Sequence, residues 1–259
     1  MRHPAAMERA LQERQVASQR EFFRLLGEAS EGSSVAHLRG GVQATATPIR
    51  PWYSIFNSVV FEQADALLEQ LDELASLYAS AGSRAWALWL PPWQDRLDEQ
   101  LAGYGMRIDS TPTLMAAYID ELDLSPRRDL ELMDPATAHL VAEVNDRAHG
   151  VLPQWSMTAV FEELSDRVKP YLALVDGKPA SALLALHHDG DCYFWFVATT
   201  PQARKLGLAS ELMRHSLREA REAGCTTTTL ESTAMAEETY RRLGFASFGR
   251  YRMWEWRAS

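Results

Sequence analysis

At 259 residues, 46% of them hydrophobic and eight of them Trp, the chain has apolar material for one large core or two ordinary ones, which excludes wholesale disorder. A formal net charge of −9 leaves no basic face for a nucleic-acid partner. No apolar run reaches the roughly 18 residues that a membrane span needs, and the first residues carry no apolar signal core, so a cytoplasmic protein is expected.

In chain order, Met7, Ala10, Leu11, Phe22, Phe23, Leu25 and Leu26 fall at roughly helical spacing and predict an N-terminal helix. A Gly/Ser break follows at Gly32-Ser33-Ser34 and Gly40-Gly41, and Ile55 to Phe61 then reads as a strand. Ala64, Leu67, Leu68, Leu71, Leu74, Ala75 and Tyr78 predict one helix ending near Gly82. Ala85 to Leu90 reads as a short buried strand stopped by Pro91-Pro92. Leu97 and Leu101 mark a helix closed by Gly103 or Gly105, and Thr113 to Ile119 is a strand. The acidic-then-basic stretch Glu121 to Arg128 is expected to link the halves, 1–125 and 126–259.

The second half opens with a strand at about Leu130 to Met133. Asp134-Pro135 is then expected to cap a helix buried through Leu140, Val141, Val144 and Ala148. Tyr171 to Val175, Ala180 to His187 and Cys192 to Ala198 are three strands joined by Asp176-Gly177 and Asp189-Gly190. Asp-Gly suits a two-residue hairpin because both central residues need positive φ, so an antiparallel meander is predicted. The third strand runs through Thr199 to Gly207 into a helix whose inner face is Ala209, Leu212, Met213, Ser216, Leu217 and Ala220. Glu211, Arg214, Arg218, Glu219, Arg221 and Glu222 are expected on its outer face. Thr226 to Glu231 is a strand, Ala236 to Leu243 a short helix stopped by Gly244, and Ala246 to Trp256 holds one or two strands. Cys192 and Cys225 lack metal-ligand or CxxC spacing and read as reduced thiols in or near a core.

The strand, basic turn and helix at Arg204 to Ala209 carry the chemistry. A helix start leaves its first amides unpaired and partly positive. Arg204 and Lys205 add cationic side chains, and Gly207 allows close backbone approach, so the turn reads as a phosphate cradle or as a solvated connection. A P-loop and a dinucleotide GxGxxG are both absent.

Residues 197–209, VATTPQARKLGLA, resemble the cofactor motif of the GNAT N-acetyltransferase superfamily, whose [QR]-x-x-G-x-[GA] pattern falls on Arg204, Gly207 and Ala209. Tyr240-Arg241-Arg242-Leu243-Gly244-Phe245 resembles the family's closing Y-x-x-L-G-F. The resemblance covers about residues 130–257 and implies acetyl-CoA as co-substrate without a metal. Phe196, Val197, Ala198 and Thr199 would offer main-chain contacts to its pantetheine arm, and the amides of Lys205, Leu206, Gly207, Leu208, Ala209 and Ser210 would hold its pyrophosphate. Tyr240 matches the family's general acid toward the departing thiolate. The acid that some members carry on the strand before the motif is missing from Cys192 to Val197, so the base is Glu231 on the next strand or a water relay. His187 and His188, ending a strand beside a turn, read as solvated. The acceptor would lie near His149 to Trp155 and Tyr251 to Trp256, both aromatic-rich, unless those aromatics pack against the other domain.

Leu101-Ala102-Gly103-Tyr104-Gly105-Met106 parallels Tyr240 to Phe245 in outline, with Leu101 standing where Tyr240 stands, and no R-x-x-G-x-[GA] leads from a predicted strand into a helix before residue 125, the match at Arg24 to Ala29 falling at the end of the predicted N-terminal helix. The expectation is therefore an α/β (α+β) protein of two GNAT-like domains in tandem, each a mixed, mostly antiparallel sheet flanked by helices. The first is read as degenerate, or else an unrelated α/β cap, and would wall the acceptor pocket with Trp52, Tyr53 or Trp86. The expected protein is a monomer or homodimer that acetylates a small-molecule or peptide amine; the alternative is a non-catalytic acyl-CoA-binding regulator or scaffold.

Overall fold

The computed structural model describes residues 4–94, 96–161 and 163–258, without the side chains of residues 4–7 (Met7 among them) and of Trp155. The helical spacing near the N-terminus forms α1 (Pro4–Leu26). The first half continues as β1 (Ser34–His37), β2 (Gln43–Ala46), β3 (Ser58–Val60), α2 (Ala64–Leu68), α3 (Leu71–Ser80), β4 (Ala85–Leu90), α4 (Asp98–Gly103), β5 (Arg107–Ser110) and β6 (Thr113–Tyr118). The second half holds β7 (Glu131–Leu132), α5 (Ala138–His149), β8 (Val168–Val175), β9 (Lys178–His188), β10 (Asp191–Thr199), α6 (Leu208–Glu222), β11 (Thr227–Ser232), α7 (Glu237–Leu243), β12 (Ala246–Arg250) and β13 (Arg252–Arg257). Among the described residues no helix is long and apolar enough to cross a membrane.

Two mixed sheets result, in the orders β1-β2-β3-β4-β13-β5 and β12-β6-β11-β10-β9-β8-β7. Each has one parallel pair, β3 with β4 and β10 with β11, and is otherwise antiparallel. The last strand of each half crosses into the other's sheet: β6 pairs β11 from Tyr118↔Thr227 to Thr113↔Ser232, and β13 pairs β4 from Arg252↔Leu90 to Arg257↔Ala85. The sheets therefore do not divide at residue 125.

The halves share local chemistry where helices meet strands. Gly82, Gly224, Gly105 and Gly244 all have positive φ and close α3, α6, α4 and α7. Each time the glycine amide donates three residues back and the next amide five back: Ser83 N to Tyr78 O at 2.9 Å, Cys225 N to Ala220 O at 2.9 Å, Met106 N to Leu101 O at 3.0 Å, and Phe245 N to Tyr240 O at 3.0 Å. This paired closure is the Schellman stop, which a Cβ would strain. Leu101 and Tyr240 thus occupy matching, buried positions.

One core is common to both halves. It gathers Phe22 and Phe23 of α1, Trp89 of β4, Leu114 of β6, Val141 of α5, Tyr193 and Trp195 of β10, and Tyr251. The opposite face of the second sheet packs on α6 and α7 through Phe194, Leu212, Leu217, Leu230, Tyr240 and Phe245.

Several expectations need correction. Asp134-Pro135 does not start a helix; Thr137 caps α5, its hydroxyl accepting from Leu140 N at 3.3 Å, and Asp134-Pro135 is a cis peptide in the approach. The helix expected over residues 64–78 is two pieces, because the buried Gln70 side chain turns back to the Ala66 and Arg39 carbonyls. The strand expected from Ile55 is a 3-10 turn over Ser54–Phe56 before β3. Glu211 and Arg214 are buried on α6 rather than exposed. The linker lies over them, with Arg127 N donating to Glu211 Oε2 at 3.2 Å and Arg214 Nε to the Asp123 carbonyl at 3.3 Å. Trp86 walls no pocket: it is fully buried and stacked on Tyr78, with ring centroids 5.2 Å apart.

Candidate active site

The Asp-Gly turns form as the sequence dictates, with φ of 52° and 69° at Asp176 and Gly177 and of 46° and 75° at Asp189 and Gly190. They deliver β10 to the middle of the sheet. β10 pairs in parallel with β11 from Asp191↔Thr227 only as far as Phe194↔Leu230. On its other edge the register with β9 jumps from Trp195↔Leu184 to Ala198↔Ala182, one extra residue on β10. Phe196 at this bulge takes φ of 53°. A bulge bends its strand, and β10 pairs with β11 no further than Phe194, so the backbone of Phe196, Val197, Ala198 and Thr199 has no partner on β11. Phe196 itself is held by Phe56, stacked at 6.2 Å, and Phe161, edge-on at 5.0 Å.

At the end of β10 the chain turns through Lys205 (φ 66°) and Gly207 (φ 75°, ψ 11°) into α6. Left-handed positions alternating with others in a turn can aim neighbouring amides to one side. Among the described residues, the amides of Lys205, Leu206, Gly207, Leu208, Ala209 and Ser210 donate to no backbone turn or loop carbonyl, and the next amide, Glu211 N, closes back on Gly207 O at 3.1 Å. A fifteen-residue helix adds its positive end. The side chain of Arg204 does not face this concavity: it donates to the Ala148 carbonyl at 2.7 Å and the Thr199 carbonyl at 3.4 Å, fastening the turn to the end of α5.

Cationic groups come instead from outside the motif. A shallow pocket of about 260 Å³ over Gly207 and Ser210 is lined by Arg127, Arg128, Glu211, Arg214, Arg242 and Leu243. Arg127 is paired with Asp123 at 3.0 Å and Arg242 with Glu238 at 2.9 Å. The Glu211 charge is met by Arg214 at 3.3 Å. Arg128 has no hydrogen bond or ion pair among the described residues, and its guanidinium lies 3.8 Å from where a Gly207 Cβ would stand. Arg128 falls in the expected linker, and a basic pair before a strand carries no local sign of what it will cover.

Glu231 and Tyr240 lie on opposite faces of the sheet, near where β10 and β11 stop pairing. Glu231 stands one residue past the last β10–β11 pair, on the side of α1. Its carboxylate accepts from Tyr193 Oη at 2.7 Å, from Gln19 Nε2 at 3.2 Å and from Gln15 Nε2. Burial pushes its pKa up to about 7 even though the Tyr193 and Gln15 donors favour the ionised form. Tyr240 belongs to the α6–α7 face and is buried, which raises its pKa, and its hydroxyl makes no hydrogen bond among the described residues. It is therefore a neutral phenol at pH 7 with a proton to give. His188 is partly exposed as expected, whereas His187 Nε2 is buried without a partner among the described residues, and burial lowers the pKa of that ring.

The aromatic segments named for an acceptor divide. Trp254 is buried in the first sheet and Tyr251 in the shared core, so both pack between the halves. Tyr53 packs on the shared core beside Phe56, Trp52 is exposed, and the Trp155 side chain lies outside the described residues.

Residues 106–245 match the model of the acetyltransferase (GNAT) family. Among solved structures, the chain is similar to a GCN5-related N-acetyltransferase from Kribbella flavida, with a TM-score of 0.69 and 18% identity over 93% of this chain and 94% of that one. It is also similar to a tandem GNAT protein from the clavulanic acid biosynthesis pathway (TM-score 0.59, 11% identity, 95% and 96% covered). A GCN5-related N-acetyltransferase from Sphaerobacter thermophilus gives a TM-score of 0.56 at 15% identity, with 87% and 76% covered. At such identities the likeness concerns the fold alone. Comparison with curated proteins gives no match.

Proposed function

Because the chain belongs to the acetyltransferase (GNAT) family, we propose that it is an N-acetyltransferase that moves the acetyl group of acetyl-CoA to a primary amine of a small molecule, amino acid or peptide by direct attack in a ternary complex. The observation that carries the reading is the strand that bends away at Phe196 and ends in the left-handed turn at Lys205 to Gly207. A β10 edge without a β11 partner suits an extended pantetheine arm, and the amides left open beneath Arg128 suit a pyrophosphate. No metal is needed by this chemistry.

The reaction follows from the two flanking groups. An alkylamine with a pKa near ~10.4 arrives protonated and must lose that proton. Glu231, poised near neutrality, accepts it directly or through a water. The freed nitrogen attacks the thioester carbonyl carbon, the carbon–sulfur bond breaks, the thiolate takes the Tyr240 phenol proton, and the nitrogen gives up its second proton to water, which in turn reprotonates the Tyr240 phenolate. Turnover of a panel of amines, followed by release of free thiol, tests the reading. Tyr240→Phe is expected to lower kcat by about 10²-fold while leaving acetyl-CoA affinity within about twofold. Cofactor binding with no turnover on any amine would leave only the non-catalytic reading, and no binding at all would remove both.

Arg128 offers a separate check on the cofactor. Removing one unpartnered guanidinium from a phosphate site should cost about tenfold in affinity. Arg128→Ala is therefore expected to weaken acetyl-CoA binding by about that factor in calorimetry, with a flatter dependence on salt than the wild type. Equal affinities at low salt would take Arg128 out of the site.

A further inference from the structure

The polar residues on the buried face of α1 have no part in the reaction as described so far. Leu11, Gln15, Ser18, Gln19 and Phe22 form one helical stripe, and all five are buried. Polar side chains in a core stripe must find partners there. Ser18 finds Asp191 at 2.8 Å. Gln15 lies between two groups: its Oε1 accepts from the Tyr251 hydroxyl at 2.7 Å, and its Nε2 donates to Glu231.

We propose that Gln15 of the N-terminal helix is a positioning residue for Glu231, so that the first half of the chain sets the aim and proton affinity of the base in the second half. The inference rests on Glu231 being that base. The phenol fixes the amide's orientation. Tyr251 is buried, which raises its pKa and keeps it protonated, so its hydroxyl donates to an acceptor. Gln15 Oε1 is that acceptor, and Nε2 is then the only end left to face the carboxylate. An amide held this way stabilises Glu231 ionised and points one of its oxygens.

The other groups facing Glu231 act in known directions. Tyr193 donates from β10, Gln19 donates from α1, and the charge of Asp191 on β10 raises the carboxyl's proton affinity. From β6, the residue across the strand pair is the apolar Leu114. Arg14 of α1 turns away to the Asp189 carbonyl. Without the Gln15 donor, burial and Asp191 act with less opposition, and the carboxyl should hold its proton to higher pH.

The test uses full-length protein carrying ¹³C-carboxyl glutamate, with the Glu231 signal assigned by its loss in Glu231→Gln. The wild-type signal should titrate near neutrality, and Gln15→Leu should move the midpoint upward by about one pH unit, the size expected for one hydrogen bond to a charged group. Tyr251→Phe keeps the ring in the core and should move it the same way by less, which preserves the test if Gln15→Leu fails to fold. The acid limb of kcat/KM should follow both shifts, with acetyl-CoA affinity unchanged. An unmoved midpoint in both variants overturns the proposal, as does a moved midpoint with an unmoved kinetic limb. Titration shifts in a protein that turns over no amine would instead count against the acetyltransfer reading, because that readout needs no acceptor.

Discussion

Gly207→Glu is expected to abolish measurable acetyl-CoA binding at micromolar concentrations while the protein stays folded. Three effects act in one direction. The residue sits at φ 75°, where a side chain costs about 1–2 kcal/mol. Its carboxylate would stand at the start of α6, where the unpaired amides draw in an anion, and so would fill the site it lines. It would also pair with Arg128, whose guanidinium lies 3.8 Å from the position of the new Cβ. Together these should lower affinity by at least about 100-fold, equivalent to ~2.7 kcal/mol. The unfolding midpoint should fall by only a few degrees, as expected of one strained residue in a chain of this size. Gly207→Ala separates the causes. At 3.8 Å its methyl makes ordinary contact, it carries no charge, and it should keep affinity within about tenfold of wild type. Calorimetric titration of the three proteins decides the matter, and near-wild-type binding by Gly207→Glu would remove the turn from the cofactor site.

What the sequence makes legible here is local. The Asp176-Gly177 and Asp189-Gly190 hairpins, the Gly244 stop and the entry from β10 into α6 each depend on a few neighbouring residues, and all form where the residues require. The exchange of β6 and β13 between sheets depends on partners far apart in the chain, and nothing within either strand records which sheet it enters. The four-residue strands β1 and β2 were hidden for another reason: they flank Gly40 and Gly41 in a stretch whose composition suggests a break. Glu211 and Arg214 looked like an outer helix face because charge pattern alone cannot foresee a linker folding over them. The same limit applies to the site. The turn at Gly207 is written in consecutive residues, whereas Arg128 above it and Gln15 behind Glu231 arrive through tertiary packing. One signal was nevertheless present. Gln15, Ser18 and Gln19 share the apolar stripe of α1, and polar residues on such a stripe imply a buried partner elsewhere.

Glu231→Gln should remove the acid limb of the pH profile as well as most of the rate. In the wild type the carboxyl titrates near 7, so kcat/KM should climb through that region as the base ionises and then level off. The sign follows from the group's role: only the carboxylate can take the ammonium proton, and falling pH refills it. The glutamine variant keeps similar size and has no group that ionises in this range. It should fall by about 10²–10³-fold at pH 7, the usual scale for loss of a general base. Its remaining activity should depend on amine that is already neutral, and so rise about tenfold per pH unit toward the amine's own pKa near ~10.4. The two profiles would therefore converge at high pH, where the substrate no longer needs help in losing its proton. A purely structural role for Glu231 predicts a different pattern, with the acid limb retained and the whole curve lowered. Profiles collected at saturating acetyl-CoA distinguish these outcomes, and a retained acid limb in Glu231→Gln would assign the base to water or to another residue.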